Sequence, residues 1–283
     1  MYKEYLRLIR FDKPIGTLLL LWPTLWALLI AYHGKPDIII LLVFCLGVFL
    51  TRSAGCAIND YADSEFDGLV QRTANRPLVT GKISKKSALL VTALLSLFAF
   101  LLAWFLLQKL TLMWSIPALI IFVSYPFFKR FFAIPQLYLG VAFSFGILMA
   151  FIEQRSSIPL VAWLLFAANL FWVLAYDTIY ALVDLPDDLK IGIRTSAITF
   201  GQYVNQIIML CYLMFVLLLI AVGINQSFGV AYYGGLMIAI LLICFVCRQI
   251  KQHDRQTCFK MFLFNNKIGY ILCIAIALNY WWQ

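Results

Sequence analysis

Eight of the thirteen acidic residues in this 283-residue chain stand in two short stretches, each at the end of a long apolar run. The first reads Asn59-Asp60-Tyr61-Ala62-Asp63-Ser64-Glu65-Phe66-Asp67, and the second runs from Asp177 through Asp184 to Asp187 and Asp188. A carboxylate beside hydrocarbon is costly, about 2.5–3.5 kcal/mol at the centre of a spanning helix on insertion scales. Groups kept at that cost hold ions, protons or substrate. Hard oxygen ligands favour magnesium, which keeps several waters and binds through one or two carboxylates together with phosphate oxygens. The chemistry implied is the handling of a polyanion through a divalent cation.

The spacing repeats. Asp60 and Asp67 are seven apart, as are Asp177 and Asp184; Arg72 and Arg76 follow the first pair, Lys190 and Arg194 the second. Each unit is an apolar span, an acidic helix end and a basic loop, which is the pattern of a parallel duplication. Both sites then open on one side, whereas an inverted repeat would set them on opposite sides. On a helix, Asp60, Asp63 and Asp67 fall within an arc of about 60°, and Asp177 and Asp184 within about 20°. Pro186 is expected to kink or end the second helix, so Asp177 and Asp184 are the stronger candidates, with Asp187 and Asp188 left open. Two patches at one spacing, each with paired basic residues, argue against an ordinary solvated patch.

Arg52 lies one heptad before Asn59 on the same span, so it shares the carboxylate face about 10 Å deeper. An arginine at that depth needs an anion or a carbonyl. It is either a clamp for a small carboxylate, by the two-pronged geometry of the guanidinium, or half of an internal ion pair with an aspartate.

The elements that must position these groups are membrane helices. The chain is 64% hydrophobic and 12% charged, with 24 Phe, 14 Tyr and 8 Trp, and a mean hydropathy of +0.91. That excludes a soluble fold. Nine apolar runs can be read, at 15–32, 37–58, 87–107, 111–128, 135–152, 159–180, 203–223, 228–247 and 264–282. Pro117, Pro126 and Pro135 interrupt the fourth and fifth. The whole chain, 1–283, is one transmembrane domain, with acidic motifs at 59–82 and 177–196. The first run is too long for a signal peptide and is taken as a retained span.

The net charge of +9 does not point to nucleic acid, because its placement is topological. Counted by loop, eighteen Lys and Arg fall on the side of the N-terminus and three (Lys35, Lys109, Arg155) on the other, with Arg52 inside a span. This places the N-terminus and both acidic mouths in the cytoplasm and the C-terminus outside. The seven cysteines imply packing rather than disulfides. His33 and His253 sit in opposite loops, and no Ser/His/Asp or Cys/His set suggests a nucleophile.

The string Gly55-Cys56-Ala57-Ile58-Asn59-Asp60-Tyr61-Ala62-Asp63, with Phe66-Asp67 and Arg72-Thr73-Ala74-Asn75-Arg76-Pro77-Leu78, resembles the UbiA-type intramembrane prenyltransferases. It is most similar to the branch acting on 4-hydroxybenzoate. Asp12-Lys13-Pro14-Ile15-Gly16-Thr17, Leu21-Trp22-Pro23-Thr24, Tyr125-Pro126 and Lys190-Ile191-Gly192-Ile193 extend the resemblance over nearly the whole chain. It implies an all-α polytopic protein of nine helices around a lipid-open cavity. The implied reaction is Mg²⁺-dependent transfer of a polyprenyl chain from its diphosphate to a ring carbon ortho to a phenolic hydroxyl, in ubiquinone synthesis at a bacterial inner membrane.

Carried over residue by residue, Asn59, Asp60, Asp63, Asp67, Asp177 and Asp184 would hold the magnesium–diphosphate, with the five aspartates as the catalytic set. Arg72, Arg76, Lys129, Arg130, Lys190 and Arg194 would neutralise phosphate oxygens. Arg52 and Asn59 would meet the aromatic acid. Tyr61, Tyr176, Tyr180 and Phe66 are candidates to line the allylic cation. Two departures from the family pattern are Leu185-Pro186 between the second-motif aspartates and Phe131-Phe132 after Lys129-Arg130. Rival readings are a family member acting on a menaquinone, homogentisate or haem acceptor, a cation-coupled transporter, and a CDP-alcohol phosphotransferase. A transporter predicts carboxylates near mid-span and access from both faces, and a phosphotransferase predicts one compact acidic set.

Overall fold

The computed structural model describes residues 2–128 and 131–282, and the described residues are helical with short connections. A short helix α1 (Tyr2–Leu8) precedes α2 (Ile15–Ala31), α3 (Ile38–Ala62), α4 (Lys85–Leu106), α5 (Lys109–Phe128) and α6 (Pro135–Arg155). The second half holds α7 (Leu160–Ile191), a five-residue α8 (Ser196–Phe200), α9 (Val204–Asn225), α10 (Val230–Gln249) and α11 (Arg255–Trp281). Eight of these are long and apolar enough to cross a bilayer, and the 17-residue α2 is the shorter ninth. The protein is an integral membrane protein, and the expected spans are present.

Local chemistry sets the helix ends. Asp37 caps α3 by accepting from the backbone N–H groups of Ile39 at 2.7 Å and Ile40 at 3.2 Å. Ser84 caps α4, Thr195 caps α8 and Asp254 caps α11 in the same way. Gly192 closes α7 at φ 78°, a left-handed seat that glycine takes without strain. Pro117 and Pro126 lie inside an unbroken α5.

The expected break at Pro186 does not occur. The helix runs through it to Ile191, because its exposed ring lies within the last two turns and the chain beyond is anchored by Asp187 and closed by Gly192. The last span also begins earlier than hydropathy suggested. Lys260 therefore stands on α11 rather than in a loop, and Lys267, within the expected run, has its ammonium 4.6 Å from the centre of the Phe264 ring.

The spans pack as a closed ring in chain order, α2 to α7 and then α9 to α11, with α11 returning to α2. Inside it, α2 also packs on α6 and α7, and α7 on α11. Consecutive antiparallel spans bring the end of α3, the end of α7 and the start of α11 to one face. Cross-chain bonds such as Arg72 to Asp184 and His253 to Asn205 join that face. At the opposite face Arg155 donates to His33, and Gly229 N–H to Asn279. Both histidines are thus hydrogen-bonded.

A polar knot fixes the centre. The indole N–H of Trp172 (α7) and the hydroxyl of Tyr212 (α9) both donate to Asn265 Oδ1 (α11), at 3.0 and 2.9 Å. Asn265 Nδ2 donates to the carbonyl of Met261 at 2.9 Å. Trp172 packs in a triangle with Trp26 and Phe215, with ring centres 5.3 and 5.6 Å away and those two 6.4 Å from each other. Gly269 lets the Trp22 and Trp172 rings approach so closely that a Cβ there would meet them at 2.4 and 2.8 Å.

Asn265→Leu should lower the stability of the purified protein by about 1–2 kcal/mol in thermal unfolding, because two buried donors lose their acceptor. Asn266→Leu, which serves only Trp22, should cost less. Equal effects would show that the knot does not hold the ring together.

Candidate active site

The first acidic motif is not a continuous helical stripe. α3 ends at Ala62, Asp63 takes the position after it, and the chain turns so that Asp67 begins a short 3-10 turn, Asp67–Leu69. Backbone bonds from Asp63 N–H to Asn59 O and from Asp67 N–H to Asp63 O, both 2.9 Å, fold the turn back. Arg76 then closes it, its Nη1 lying 2.6 Å from Asp67 Oδ2 and 3.1 Å from Asp60 Oδ1. Asp60 is 1% exposed, and Arg10 Nη2 meets the same Oδ1 at 2.7 Å. Asp60 Oδ2 is buried with no hydrogen-bond partner among the described residues. Burial pushes the Asp67 carboxyl above its usual range, against the pull of Arg76. Burial works to lower the Arg76 guanidinium, but Asp60 and Asp67 outweigh it and raise it.

The second motif is a true stripe. Since α7 continues past Pro186, Asp177, Asp184 and Asp188 share one face within about 40°, and Asp188 is 7% exposed. The sequence expectation that a break would separate Asp188 from Asp184 is corrected. Asp187 points elsewhere: Arg255 Nη2 lies 3.0 Å from its Oδ1, and Gln71 N–H donates to its Oδ2 at 3.3 Å. Arg255 also donates to Gln71 Oε1 at 3.1 Å.

The two motifs meet through Arg72. Its Nε lies 3.0 and 3.1 Å from the two Asp184 oxygens and its Nη2 2.5 Å from Oδ2, a two-pronged grip across the halves. Its guanidinium carbon also sits 4.6 Å above the centre of the Tyr180 ring. Tyr180 stacks on Phe262 at 4.4 Å, and Tyr176 lies 6.0 Å from Phe262, so α7 and α11 form an aromatic wall below the ion pairs. The Tyr176 hydroxyl is buried without a hydrogen-bond partner among the described residues.

Other candidates lie in varied settings. Arg52 packs against Gly16, where a Cβ would meet its Nη2 at 2.8 Å, and its Nε is buried and unpartnered among the described residues. Tyr61 packs with Leu8, Ala57, Ile83 and Ala88 between α1, α3 and α4, and that contact accounts for its burial. Arg194 donates to the Phe131 carbonyl at 3.1 Å. Lys190 is exposed at the end of α7. Lys129 and Arg130 lie outside the described residues.

Sequence reasoning did not single out Arg10, Gln71, Arg255, Phe259 or Phe262, which lie hundreds of ångströms of chain away or carry no motif. The available signals were position alone: Arg10 stands two residues before the Asp12-Lys13-Pro14 string, and Gln71 directly before Arg72 within the first acidic motif.

The arrangement suits a polyanion. Among the described residues no three His, Cys, Asp or Glu side chains gather tightly enough to cage a metal; the carboxylates are held by guanidinium groups instead. The donor chemistry nevertheless fits Mg²⁺, which takes few protein oxygens and completes its shell with water and phosphate. The buried Asp60 Oδ2 is one oxygen left without a hydrogen-bond partner among the described residues, which fits a ligand for such an ion.

The UbiA prenyltransferase family model matches residues 20–268. A protein named 4-hydroxybenzoate octaprenyltransferase from Nitrosomonas eutropha is 55% identical over 278 residues, 98% of this chain and 97% of that protein. One of the same name from Neisseria meningitidis is 54% identical over 96% of this chain and 92% of its own length. The apo structure of a UbiA homolog from Aeropyrum pernix superposes with a TM-score of 0.81 at 25% identity, covering 93% of this chain and 97% of that one. A UbiA homolog from Archaeoglobus fulgidus, bound to GPP and Mg²⁺, shares the fold at a TM-score of 0.77 and 18% identity, covering 98% and 99%.

Arg72→Gln and Asp184→Asn should each lower the melting temperature of the purified protein. The double mutant should cost less than the sum of the two by about 1–3 kcal/mol. Strict additivity would mean that the fork does not couple the halves.

Proposed function

The chain belongs to the UbiA prenyltransferase family, and from that premise we propose that it moves a polyprenyl chain from its diphosphate onto 4-hydroxybenzoate. The new bond forms at the ring carbon ortho to the hydroxyl and diphosphate leaves, a step of ubiquinone synthesis. The observation that carries this reading is the Arg72–Asp184 fork, which brings both acidic motifs to one mouth where a single diphosphate can touch both. Near-full-length identity above half with relatives named 4-hydroxybenzoate octaprenyltransferase supports the same substrates.

Asn59, Asp60, Asp63, Asp67, Asp177 and Asp184, with Asp188 added by the unbroken helix, would hold Mg²⁺ together with the diphosphate. When bound, Mg²⁺ supplies positive charge that stabilises the departing diphosphate. Arg72 and Arg76 add charge-assisted hydrogen bonds to the same oxygens; Arg194, Lys190, Lys129 and Arg130 are assigned to the rim. As the carbon–oxygen bond of the allylic diphosphate breaks, positive charge spreads over the allyl group. The faces of Tyr176 and Tyr180 stabilise it, and the Tyr180 face already receives the Arg72 guanidinium. Packing against Phe262 and Trp172 would keep out water that could capture the cation.

The acceptor enters with its carboxylate toward Arg52, whose Nε lacks another partner, and with Asn59 one heptad nearer the mouth. Its electron-rich ring attacks the allylic carbon, and loss of the ring proton restores aromaticity. No protein nucleophile is needed. The excess of basic residues on the side of the mouth supports a cytoplasmic site in a bacterial inner membrane, with the N-terminus inside and the C-terminus in the periplasm.

Membranes carrying the protein, given 4-hydroxybenzoate, a long allylic diphosphate and Mg²⁺, should form the prenylated acid. A chelator should stop product formation, and Asp60→Asn or Asp177→Asn should lower kcat about a hundredfold or more. Product from homogentisate or a naphthoate but none from 4-hydroxybenzoate would reassign the acceptor; uptake without turnover would refute an enzyme. Arg52→Ala should raise KM for the aromatic acid about tenfold to a hundredfold while leaving that for the lipid diphosphate nearly unchanged. Equal losses for both would remove the clamp.

A further inference from the structure

α1 is tied to the mouth of the site more firmly than a surface helix of seven residues needs to be. Leu8, 0% exposed, packs into the cluster of Ala57, Ile83 and Ala88. Arg7 donates to the Asn75 carbonyl at 3.0 Å and pairs with Glu4 at 2.9 Å. The helix then closes with Phe11 N–H donating to Leu6 O at 2.9 Å, which forces Arg10 to φ 58°. That left-handed seat favours glycine, and a side chain there is strained. The strained turn aims the guanidinium inward, where Nη1 donates to the Arg7 carbonyl at 2.9 Å and Nη2 to Asp60 Oδ1 at 2.7 Å.

Neutralising Asp60 does not require this arrangement. Arg76 already sits 3.1 Å from the same Oδ1, while Asp60 Oδ2 is buried with no partner among the described residues. Two guanidinium groups thus share one carboxylate oxygen and leave its twin unmet. Lys13 adds to the positive field. Its ammonium is pushed below the usual range, first by burial and then by Arg10, with Arg72 and Arg76 acting in the same direction. Cations held together at this density are stabilised by a multiply charged anion in their midst.

We propose that Arg10 is a diphosphate-binding residue, turning from Asp60 to a phosphate oxygen when the prenyl diphosphate enters and so releasing Asp60 as an oxygen ligand. This rests on the prenyl-diphosphate reading above and adds α1 as a third wall of the site, beside the loop after α3 and the end of α7. The strained backbone keeps the guanidinium at the mouth in either state, so that it exchanges one anion for another without refolding α1.

The test measures inorganic pyrophosphate binding in the presence of Mg²⁺, by calorimetry on the full-length protein in nanodiscs. Wild type is compared with Arg10→Ala, Arg10→Gly and Arg10→Lys. Arg10→Gly removes the guanidinium and relieves the left-handed strain, so its melting temperature should equal or exceed that of wild type. Pyrophosphate affinity should fall about tenfold or more in the Ala and Gly variants, and the Lys variant should retain much of it. KM for the prenyl diphosphate should rise in step while KM for the aromatic acid stays put. Unchanged or tighter pyrophosphate binding overturns the assignment. So does a loss that tracks a fall in melting temperature and raises both KM values equally, since that would make Arg10 a strut of the fold. If wild type itself bound no pyrophosphate, the proposed function would fall instead.

Discussion

An ionised carboxylate at the edge of a membrane persists only where a positive partner meets it. In this chain the partner of Asp184 comes from 112 residues earlier. The Arg72 fork makes one site of two acidic motifs that are far apart in sequence. Arg76 does the same on a smaller scale, folding the turn after α3 so that Asp60 and Asp67 share one guanidinium. Arg255 repeats the device at Asp187, tying the start of α11 and the loop at Gln71 to the end of α7. Charge pairing in a low-dielectric setting therefore determines which helix ends converge, and the helix ring makes that convergence possible.

The same pairs explain how the site can wait without substrate. Isolated buried carboxylates would repel one another or take up protons; guanidinium groups oppose both effects and hold the side chains in place. A diphosphate carries its own dense negative charge, so in the proposed reaction the arginines would pass from carboxylate to phosphate oxygen. The aromatic wall of Tyr176, Tyr180 and Phe262 lies just below. Ion-pairing groups thus lie over a ring-lined interior, the order that the proposed ionisation of an allylic diphosphate calls for.

Much of this was legible in the sequence. Spans show because twenty apolar residues in a row have few alternatives, and the acidic clusters show because their cost is so unusual. Where tertiary contacts override local propensity, the reading failed. Pro186 looks like a helix end, yet the ion pair of Asp187 and the cap at Gly192 hold α7 together beyond it. Asp67 looks like the third member of a helical stripe, yet α3 stops at Ala62 and Arg76 supplies the geometry a helix was expected to give. Arg10 and Arg255 were read only as topological charge, because nothing local distinguishes a guanidinium that answers a distant carboxylate from one that faces water.

Proximity of the two halves at the mouth can be measured directly. In a chain freed of its seven native cysteines, Gln71→Cys and Asp187→Cys together can be treated in membranes with a short thiol-bridging reagent and scored for intramolecular cross-linking. Efficient bridging of this pair, with none for Gln71→Cys paired with a cysteine at the opposite face such as Ser156→Cys, is the result expected from a shared mouth. If Gln71 and Asp187 fail to bridge under conditions where a control pair within one loop does, the two acidic motifs do not form one site.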